Sequence, residues 1–504
     1  MDLSDYADHD AVGLAALVRA GEVTPGELEE AARRAIEIVE PALHATVGDL
    51  FEPTGGAGPP GDAPLAGVPF ALKDVAPHLK GQVVQYGSRW TRTGIRAAED
   101  SYLGRRFHAA GLKAIARSRS PEFAFNASTE PKAHGATCNP WDVGLSAGGS
   151  SGGAAALVAA RALPIAHATD AAGSIRIPAS LCGAVGMKPT RSRIPIAPGA
   201  WEAVHGFAHD FVIARTVRDV AAALDALHGP VPGDKYLIPP PVRPYVEEVG
   251  AESGRLRIGW TAEAWSGCHV APECRSAVEG TAKALERVGH DVVEARPEID
   301  PEVLHRALMT SWAAALAQRA AMLERALGCP PSPDTVEAMT MAMIELGQVT
   351  SAVELLDSHV GCNTVARGVG SYFETVDVLV LPSTARPPWR LGELNQDDAS
   401  LSAEGWIRKL FDEYCPFTAM FNITGQPAVS LPLAWTETGL PVGVQLVGRF
   451  ADEATLLRLA GQLEDLFPWA ARVPAVAVGH EDPGNSTPRA RPFIFEFGDK
   501  GVRP

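Results

Sequence analysis

Short apolar runs alternate along the chain with longer stretches in which apolar residues recur at helical spacing. The short runs predict buried strands at residues 65–74, 112–116, 163–168, 255–260, 290–294 and 376–382. The longer stretches predict helices at residues 24–39, 101–110, 154–161, 216–227, 272–288, 301–326, 333–373 and 452–466. Two further runs, 428–433 and 442–447, flank a Thr438–Gly439 turn and predict a hairpin. In the middle region, the strand at 255–260, the helix at 272–288 and the strand at 290–294 predict a βαβ rhythm.

Specific residues mark where several of these elements begin and end. Thr24 and Glu27 have the spacing of a capping box, which places a helix start there. That helix is expected to end before Pro41, because proline disfavours helical geometry in the residue that precedes it. Residues 53–64 are rich in glycine and proline without any period and predict a surface loop, and the tail from Gly479 is expected to be loosely ordered.

The composition narrows the class of protein. Of the 504 residues, 46% are apolar and 21% are charged, which is ordinary for a soluble globular enzyme. The net charge of −16 argues against a nucleic-acid surface, which would need a basic stripe. No run of about 18 apolar residues predicts a membrane span, and the acidic start lacks the apolar core of a secretory signal. The seven scattered cysteines form no CxxC pair, which favours the cytoplasm over a disulfide framework.

Two stretches of small residues stand out from this pattern. Gly148-Gly-Ser-Ser-Gly-Gly153 has four glycines around two serines, so its backbone is expected to take an unusual path or to approach another group closely. The second stretch, residues 170–174, follows the predicted strand at 163–168 and leads into Ser174–Pro178, which is expected to open a helix. A serine hydroxyl needs a base to become a nucleophile, and neither stretch contains a histidine.

These stretches resemble the amidase signature family. The resemblance rests on Gly67–Asp74 with Lys73 near its end, on the loop Gly148–Gly153 and on Thr169–Pro178, and it extends from about residue 24 to about residue 465. Supporting stretches are Ser120–Ala124, Asn139–Asp142, Cys182–Thr190 and Phe421–Ser430. The resemblance implies an α/β protein with the amidase signature fold, a large mixed central β-sheet covered on both sides by α-helices.

The resemblance also implies a single amidase domain over residues 1–504. Its expected parts are an N-terminal helical segment at about 1–60, the signature core at about 65–230, a variable substrate-pocket region at about 240–415 and a return to the central sheet at about 416–470. The variable region holds Trp312 and other aromatic and methionine residues, which suit the wall of an apolar pocket.

A mechanism without a histidine base follows from the resemblance. It implies that Ser174 is the nucleophile, Ser150 a bridging serine entered by a cis peptide bond, and Lys73 the base. Lys73 must be neutral for this role, and burial in a low-dielectric interior promotes the neutral form. The expected reaction is hydrolysis of linear or cyclic amides, such as 6-aminohexanoate cyclic dimer, through an acyl-enzyme. No metal and no organic cofactor are expected.

Further residues receive roles from the same resemblance. Backbone N–H groups at a helix start are expected to form the oxyanion hole, those of Ala171, Ala172, Gly173 and Ser174. Ser151 is expected to hydrogen-bond within its own loop, and Asp170 with Arg176 to hold that loop shut. The expected substrate-binding residues are Phe123, Asn126 and Trp312. The expected partner is a small-molecule amide, with no nucleic acid and no membrane, and the resemblance allows for a homodimer.

Ser146 is a rival for the role of nucleophile. Gly144-Leu-Ser-Ala-Gly148 matches the G-x-S-x-G elbow of α/β-hydrolases, which needs a buried strand directly before it, whereas Asn139–Asp142 is turn-like. His205 and His209 lie four residues apart, but no motif completes a metal site around them, so structural histidines are favoured.

Several functions stay open at this point. The alternatives are a general aryl or alkyl amidase, a carbamate hydrolase and, in another class, an amidotransferase subunit of a complex that modifies aminoacyl-tRNA. A degenerate binding protein is disfavoured because Lys73, Ser150 and Ser174 are all intact. Hydrolysis of a simple amide by the isolated chain distinguishes an amidase from a binding protein and from a subunit that needs its complex.

Overall fold

A computed structural model describes residues 1–53, 63–76, 78–196 and 198–479 of the chain. Most of the predicted surface loop at 53–64 lies outside the described residues, and so does the predicted tail after Gly479.

The strands of the described residues are β1 (Pro69–Lys73), β2 (Val83–Val84), β3 (Ile95–Arg96), β4 (Lys113–Ser118), β5 (Cys138–Asn139), β6 (Asp142–Ser146), β7 (Ile165–Asp170), β8 (Val185–Lys188), β9 (His209–Ala214), β10 (Arg257–Trp260), β11 (Asp291–Glu294), β12 (Val378–Pro382), β13 (Ala428–Trp435) and β14 (Pro441–Gly448). Ten of them form one mixed sheet in the order β11-β10-β12-β14-β13-β8-β9-β7-β1-β4. Strand β1 runs parallel to β4 and β7, and β10 runs parallel to β11 and β12. The other neighbours in the sheet are antiparallel. The pairs β2–β3 and β5–β6 lie apart from it.

Helices cover this sheet on both faces. They are α1 (Leu3–Asp8), α2 (Ala11–Ala20), α3 (Pro25–Leu43), α4 (Tyr102–Ala109), α5 (Gly152–Ala159), α6 (Arg176–Cys182), α7 (Val217–Leu227), α8 (Pro272–Arg287), α9 (Pro301–Leu327), α10 (Ala338–Val349), α11 (Ala352–Thr375), α12 (Ala403–Arg408), α13 (Ala419–Thr424) and α14 (Glu453–Leu466). Helices α3, α5, α6, α7, α8 and α14 contact the strands directly. A turn of π-helix, Lys409–Tyr414, extends α12.

Most of the predicted elements are confirmed. Every residue of β1 and of β12 is buried, as near-continuous apolar runs predict for strands covered on both faces. The predicted hairpin is β13 and β14, and the predicted βαβ rhythm of the middle region is β10, α8 and β11. The α/β fold with a large mixed sheet is therefore confirmed.

Two predicted helix boundaries are wrong. Helix α3 continues past Pro41 to Leu43, whose burial at the end of the helix stabilises this last turn. The stretch 333–373 is not one helix, because α10 ends at Val349 and α11 begins at Ala352. Ser351 and Glu354 form a capping box between them, with the N–H of Glu354 donating to Ser351 Oγ at 3.2 Å.

The buried apolar residues form two clusters. The larger one reaches from Tyr6 in α1 to Val478 and includes residues of the central strands throughout. The smaller one joins the segment 123–127 to α9, α10 and the region of α12. Because the larger cluster includes residues near both ends of the described chain, we propose that the described residues form one domain.

Candidate active site

Lys73 is the last residue of β1 and is fully buried. Its Nζ donates to Ser150 Oγ at 2.7 Å and to Thr169 Oγ1 at 2.8 Å. Burial penalises the charged amine and lowers its pKa from 10.5 to about 7, against the opposing effect of the Asp210 and Asp170 carboxylates. A substantial share of this amine is therefore neutral near pH 7 and can accept a proton.

The loop at residues 148–153 holds its first serine, Ser150, against that amine. The Gly149–Ser150 peptide bond is cis, as the resemblance implies. A Cβ on Gly149 would lie 2.8 Å from Asn126 O and 2.8 Å from backbone atoms of Ser128. No side chain fits there without moving the backbone, so the predicted close approach of the glycine-rich loop is confirmed.

Ser151 links this loop to β7. Its Oγ donates to Thr169 O, and it accepts from Thr169 N, both at 3.3 Å. The expectation of a hydrogen bond within the loop is therefore wrong, because the bonds cross to the neighbouring strand. They tie the start of α5 to the residue that accepts a hydrogen bond from Lys73.

Ser174 lies on the turn between β7 and α6 and is partly accessible, whereas Lys73 and Ser150 are completely buried. It opens onto a narrow cavity of about 10 Å³ without a charged side chain among its lining residues. These are Ala124, Phe125, Asn126, Ala127, Ala172, Ser174, Ile177, Trp312 and Phe411. An accessible hydroxyl next to an uncharged cavity suits a nucleophile that meets a neutral substrate.

Two of the three expected substrate-binding residues line this cavity. Asn126 is fixed there, since its Nδ2 donates to Leu394 O at 2.9 Å. Trp312 packs against Phe125, with ring centroids 5.1 Å apart. Phe123 is not among the lining residues, because its ring turns away to pack on Tyr86. Ile177 lies in the stretch Thr169–Pro178 that carries the resemblance, whereas the lining residues Phe125 and Phe411 have no sequence signal that separates them from ordinary core residues.

The turn before α6 presents the expected oxyanion donors, with one exception. The N–H of Gly173 donates to Asp170 Oδ1 at 2.7 Å, so this group is already engaged and its expected role is wrong. In the described part of the chain, no protein acceptor lies within hydrogen-bond distance of the N–H groups of Ala171, Ala172 and Ser174. These three donors can serve an oxyanion.

Arg176 fixes this turn with all five of its N–H donors. Nε and Nη2 donate to the two carboxylate oxygens of Asp170, both at 2.9 Å. The other three bonds reach Thr418 O at 3.0 Å, Gln445 Oε1 at 2.6 Å and Asn422 Oδ1 at 2.6 Å. Burial opposes the charge of Asp170, yet its pKa stays well below the usual range because of the pair with Arg176.

Three residues of this clamp come from the C-terminal part of the chain. Thr418 Oγ1 donates to Ala172 O at 2.6 Å, and Asn422 Nδ2 donates to Asp170 O at 2.9 Å. Sequence reasoning missed their roles individually. Asn422 lies in a stretch that supported the resemblance, whereas nothing in the sequence marks Thr418 or Gln445.

Ser146, the rival nucleophile, is fully buried. Its Oγ is 2.5 Å from Ser128 Oγ and accepts from Gly148 N at 3.0 Å. Ser146 is the last residue of β6, and the first three residues of that strand are exposed. Strand β6 pairs with β5 in a separate two-stranded sheet and does not belong to the central sheet. These contacts assign it a structural role in the loop.

Histidines contribute to the interior, although not where the sequence drew attention to them. The His205 ring packs on His359 at 5.3 Å, and His209 is buried. Among the described residues, three groups of metal-ligating type come together, those of His78, His167 and Asp210 within 4.8 Å of one another. Sequence reasoning missed this group, because its members come from three separate segments.

Among the described residues, a search for membrane-spanning helices finds none with the length and apolar character that a span needs.

Comparisons with known proteins show what the chain is similar to in sequence and fold. Residues 57–457 match the profile of a family described as Amidase. A 6-aminohexanoate-cyclic-dimer hydrolase of Pseudomonas sp. (strain NK87) is 38% identical over 480 residues, 92% of this chain and 96% of that protein. Another, of Paenarthrobacter ureafaciens, is 38% identical over 484 residues, again 92% and 96%. A solved structure of 6-aminohexanoate cyclic dimer hydrolase complexed with substrate matches with a TM-score of 0.86 and 36% identity, over 93% of this chain and 99% of that one.

The clamp around Arg176 gives a stability prediction. Arg176→Met leaves the buried Asp170 carboxylate without its cation, and we expect a loss of about 3–5 kcal/mol in the free energy of unfolding, measured by urea denaturation. Arg275→Met is the control, because its ion pair with Glu263, at 2.7 Å, is exposed and such pairs contribute about 0–1 kcal/mol. Equal losses in the two variants would contradict the clamp.

Proposed function

The chain belongs to the amidase signature family, and on that premise we propose that it hydrolyses neutral amides, linear or cyclic, through an acyl-enzyme on Ser174. The observation that carries the proposal is the fully buried Lys73, hydrogen-bonded to Ser150 at 2.7 Å, next to a turn where Ser174 meets an uncharged cavity. A lysine kept largely neutral by burial is a base that can work at physiological pH.

In the proposed reaction, Lys73 accepts a proton from Ser150, and Ser150 accepts one from Ser174 while the Ser174 oxygen attacks the amide carbon. The negative charge that develops on the carbonyl oxygen is stabilised by the three N–H groups at residues 171, 172 and 174. When the carbon–nitrogen bond breaks, the proton returns through Ser150 to the leaving amine. Water then attacks the acyl-enzyme by the same route and releases the acid.

The cavity supports a substrate with a neutral, largely apolar acyl group. Its lining carries no charged side chain, and its polar side chains are those of Ser174, Asn126 and Trp312. A charged acyl chain would lose its hydration there without gaining an ion pair. The relatives named for 6-aminohexanoate cyclic dimer support amides of the aminohexanoate type as the substrate class. A panel that adds an anilide, a carbamate and glutamine tests the alternatives.

We further propose a cytoplasmic location and a homodimer. All seven cysteines are free, which suits a reducing compartment.

Support for a dimer comes from exposed apolar residues at helical spacing on α11, namely Val353, Leu356 and Val360, because contiguous exposed apolar surface often marks an interface. Light scattering on the purified chain tests the dimer.

Removal of the proposed nucleophile or base should abolish turnover. We expect Ser174→Ala and Lys73→Ala each to lower kcat by at least about 10³-fold, with little change in thermal stability. The reason is that catalytic residues act as a unit, so the removal of one abolishes most of the effect of all. Ser146→Ala is the matched control and should keep most of the rate of its folded fraction. An active Ser174→Ala enzyme, with Ser146→Ala inactive, would move the nucleophile to Ser146.

The pH dependence follows from the pKa of Lys73, which is about 7. The neutral amine is the active form, and it increases as pH rises, so kcat/KM should rise about tenfold per pH unit below that pKa and level off above it. Steady-state kinetics on a neutral amide measure this profile. A maximum in the acidic range, where carboxylates titrate, would contradict a lysine base.

Trp312 should determine which amides are preferred. Trp312→Phe changes the cavity wall, so we expect the ratio of kcat/KM between a cyclic aminohexanoate dimer and a small anilide to change by about 10-fold or more. Trp406→Phe is the control, because Trp406 is buried and lies outside the cavity lining. If both variants lose stability and keep the wild-type ratio, Trp312 acts only as a core residue.

A further inference from the structure

A buried polar group lies behind Lys73 on one face of the central sheet. Thr169 of β7 is directly opposite Asp210 of the antiparallel strand β9, and His167 precedes Thr169 by two residues. Opposed residues in a sheet share a face, and so do residues two apart in a strand. Since Lys73 Nζ donates to Thr169 Oγ1 at 2.8 Å, Lys73, His167 and Asp210 all lie on this face.

Hydrogen bonds connect the group to the backbone of Lys73. The N–H of Lys73 donates to His167 Nδ1 at 3.2 Å, just beyond the last β1–β7 pair, Ala71 with Ala166. Because Nδ1 accepts, Nε2 carries the proton, and it donates to Asp210 Oδ1 at 3.1 Å. The imidazole therefore continues the sheet ladder by one step, and Asp210 fixes its tautomer.

His78 completes the group from the segment after β1. Its Nε2 lies 3.2 Å from the same Asp210 oxygen, and its Nδ1 lies 2.9 Å from Ser101 Oγ. Every ring nitrogen of His78 and His167 thus has a partner, which is the pattern of a satisfied hydrogen-bond network and leaves no ring lone pair for a metal ion. Phe107 packs against both rings, at 6.0 and 5.6 Å, and keeps this region apolar.

Among the described residues, the ion-pair contacts of Asp210 are with two histidines, His78 and His167. Burial lowers the pKa of His167 to about 4, so this partner is neutral at physiological pH. Burial opposes the charge of Asp210, yet the hydrogen bonds from His167 and His78 hold its pKa well below the usual range. The other nearby carboxylate, Asp170, is paired with Arg176 through two bonds of 2.9 Å. Asp210 is therefore the anion whose field acts most directly on Lys73.

We propose that His167 and Asp210 are positioning residues for Lys73: His167 holds its backbone at the end of β1, and Asp210 supplies the buried negative charge that balances its protonated form. The proposal rests on the proposed role of Lys73 as base. In that cycle Lys73 gains a proton while Ser174 attacks, so a nearby fixed anion stabilises the charged amine at its fully buried position.

The titratable groups that face Lys73 come from each element packed around it. Strand β7 contributes His167 and Asp170, β9 contributes Asp210, and the segment after β1 contributes His78. On the other side, β4 pairs Ser118 with Lys73, and the loop before α5 contributes Ser150. The adjacent Asp74 is directed elsewhere, since it accepts from Gln85 N at 2.9 Å.

The charge is tested with Asp210→Asn. We record the rate at which a fluorophosphonate modifies Ser174 from about pH 5 to about pH 9, which needs no knowledge of the natural substrate. Without the anion, the protonated amine is less stable, so the acid limb of the profile should move to lower pH by about one unit. Asp219→Asn is the control, because Asp219 is another fully buried carboxyl, bonded instead to the N–H groups of Ala11 and Val12. Its limb should not move.

The positioning role is tested with a pair of variants at His167. His167→Ala removes the acceptor for the Lys73 N–H, and we expect the plateau rate above the limb to fall about 10- to 100-fold. His167→Gln can accept from that N–H and donate to Asp210, so it should restore most of the rate. Both variants keep Asp210 charged, and their limbs should stay near that of the wild type. This pair keeps the proposal testable even where Asp210→Asn does not fold.

The outcomes separate this proposal from the proposed function. A wild-type profile without an acid limb, or Lys73→Ala with a normal rate, would overturn the lysine base itself. With the wild-type limb in place, an Asp210→Asn limb at the same pH, accompanied only by lower thermal stability, shows that Asp210 is structural. A His167→Ala plateau equal to that of the wild type overturns the positioning role.

Discussion

Lys73 is completely buried, and within the described part of the chain its amine donates to two hydroxyls, those of Ser150 and Thr169. An amine in such a place loses its hydration without gaining an adjacent carboxylate, and its pKa falls to about 7. The remainder of the site is arranged around this condition. The carboxylates in the vicinity are held by other donors, so none forms an ion pair that would keep the amine charged.

Asp170 illustrates how the fold meets that condition. Its two oxygens accept from Arg176, and Gly173 N–H donates to one of them at 2.7 Å. The carboxylate is thus used to shape the turn that carries Ser174. The remaining donors of Arg176 reach Thr418 O and the side chains of Asn422 and Gln445, so the C-terminal segments fix the same turn. A charge that would disturb Lys73 serves instead to order the residues around the nucleophile.

The cavity next to Ser174 is formed by other parts of the chain than those that hold Lys73. It is formed where the smaller apolar cluster, with α9 and Trp312, meets the segment 124–127 and the Ser174 turn. Lys73 and Thr169 belong to strands of the central sheet, whereas Trp312 of the cavity wall belongs to α9 outside it. Under the proposed function, a change at Trp312 therefore alters substrate choice without removing a hydrogen bond of Lys73.

The sequence by itself determined the local features. Apolar runs predicted β1, β12 and the β13–β14 hairpin, because a strand covered on both faces needs apolar residues throughout. The four glycines of the loop predicted a close backbone approach, and the motifs carried the resemblance that points to Lys73, Ser150 and Ser174. These properties depend on neighbouring residues in the chain, so a linear pattern can express them.

Only the tertiary structure decided which distant groups meet. Thr418 and Gln445 reach Arg176 across more than 240 residues, and His167 and Asp210 lie 43 residues apart, so no local pattern marks them. Phe125, and not the expected Phe123, lines the cavity. Both rings are buried, and the difference depends on their directions, since Phe123 packs on Tyr86 and Phe125 on Trp312. The engagement of the Gly173 N–H depends on a carboxylate whose position is set by Arg176. Contacts of this kind are fixed by packing in three dimensions, and the same residues in another fold would have other partners.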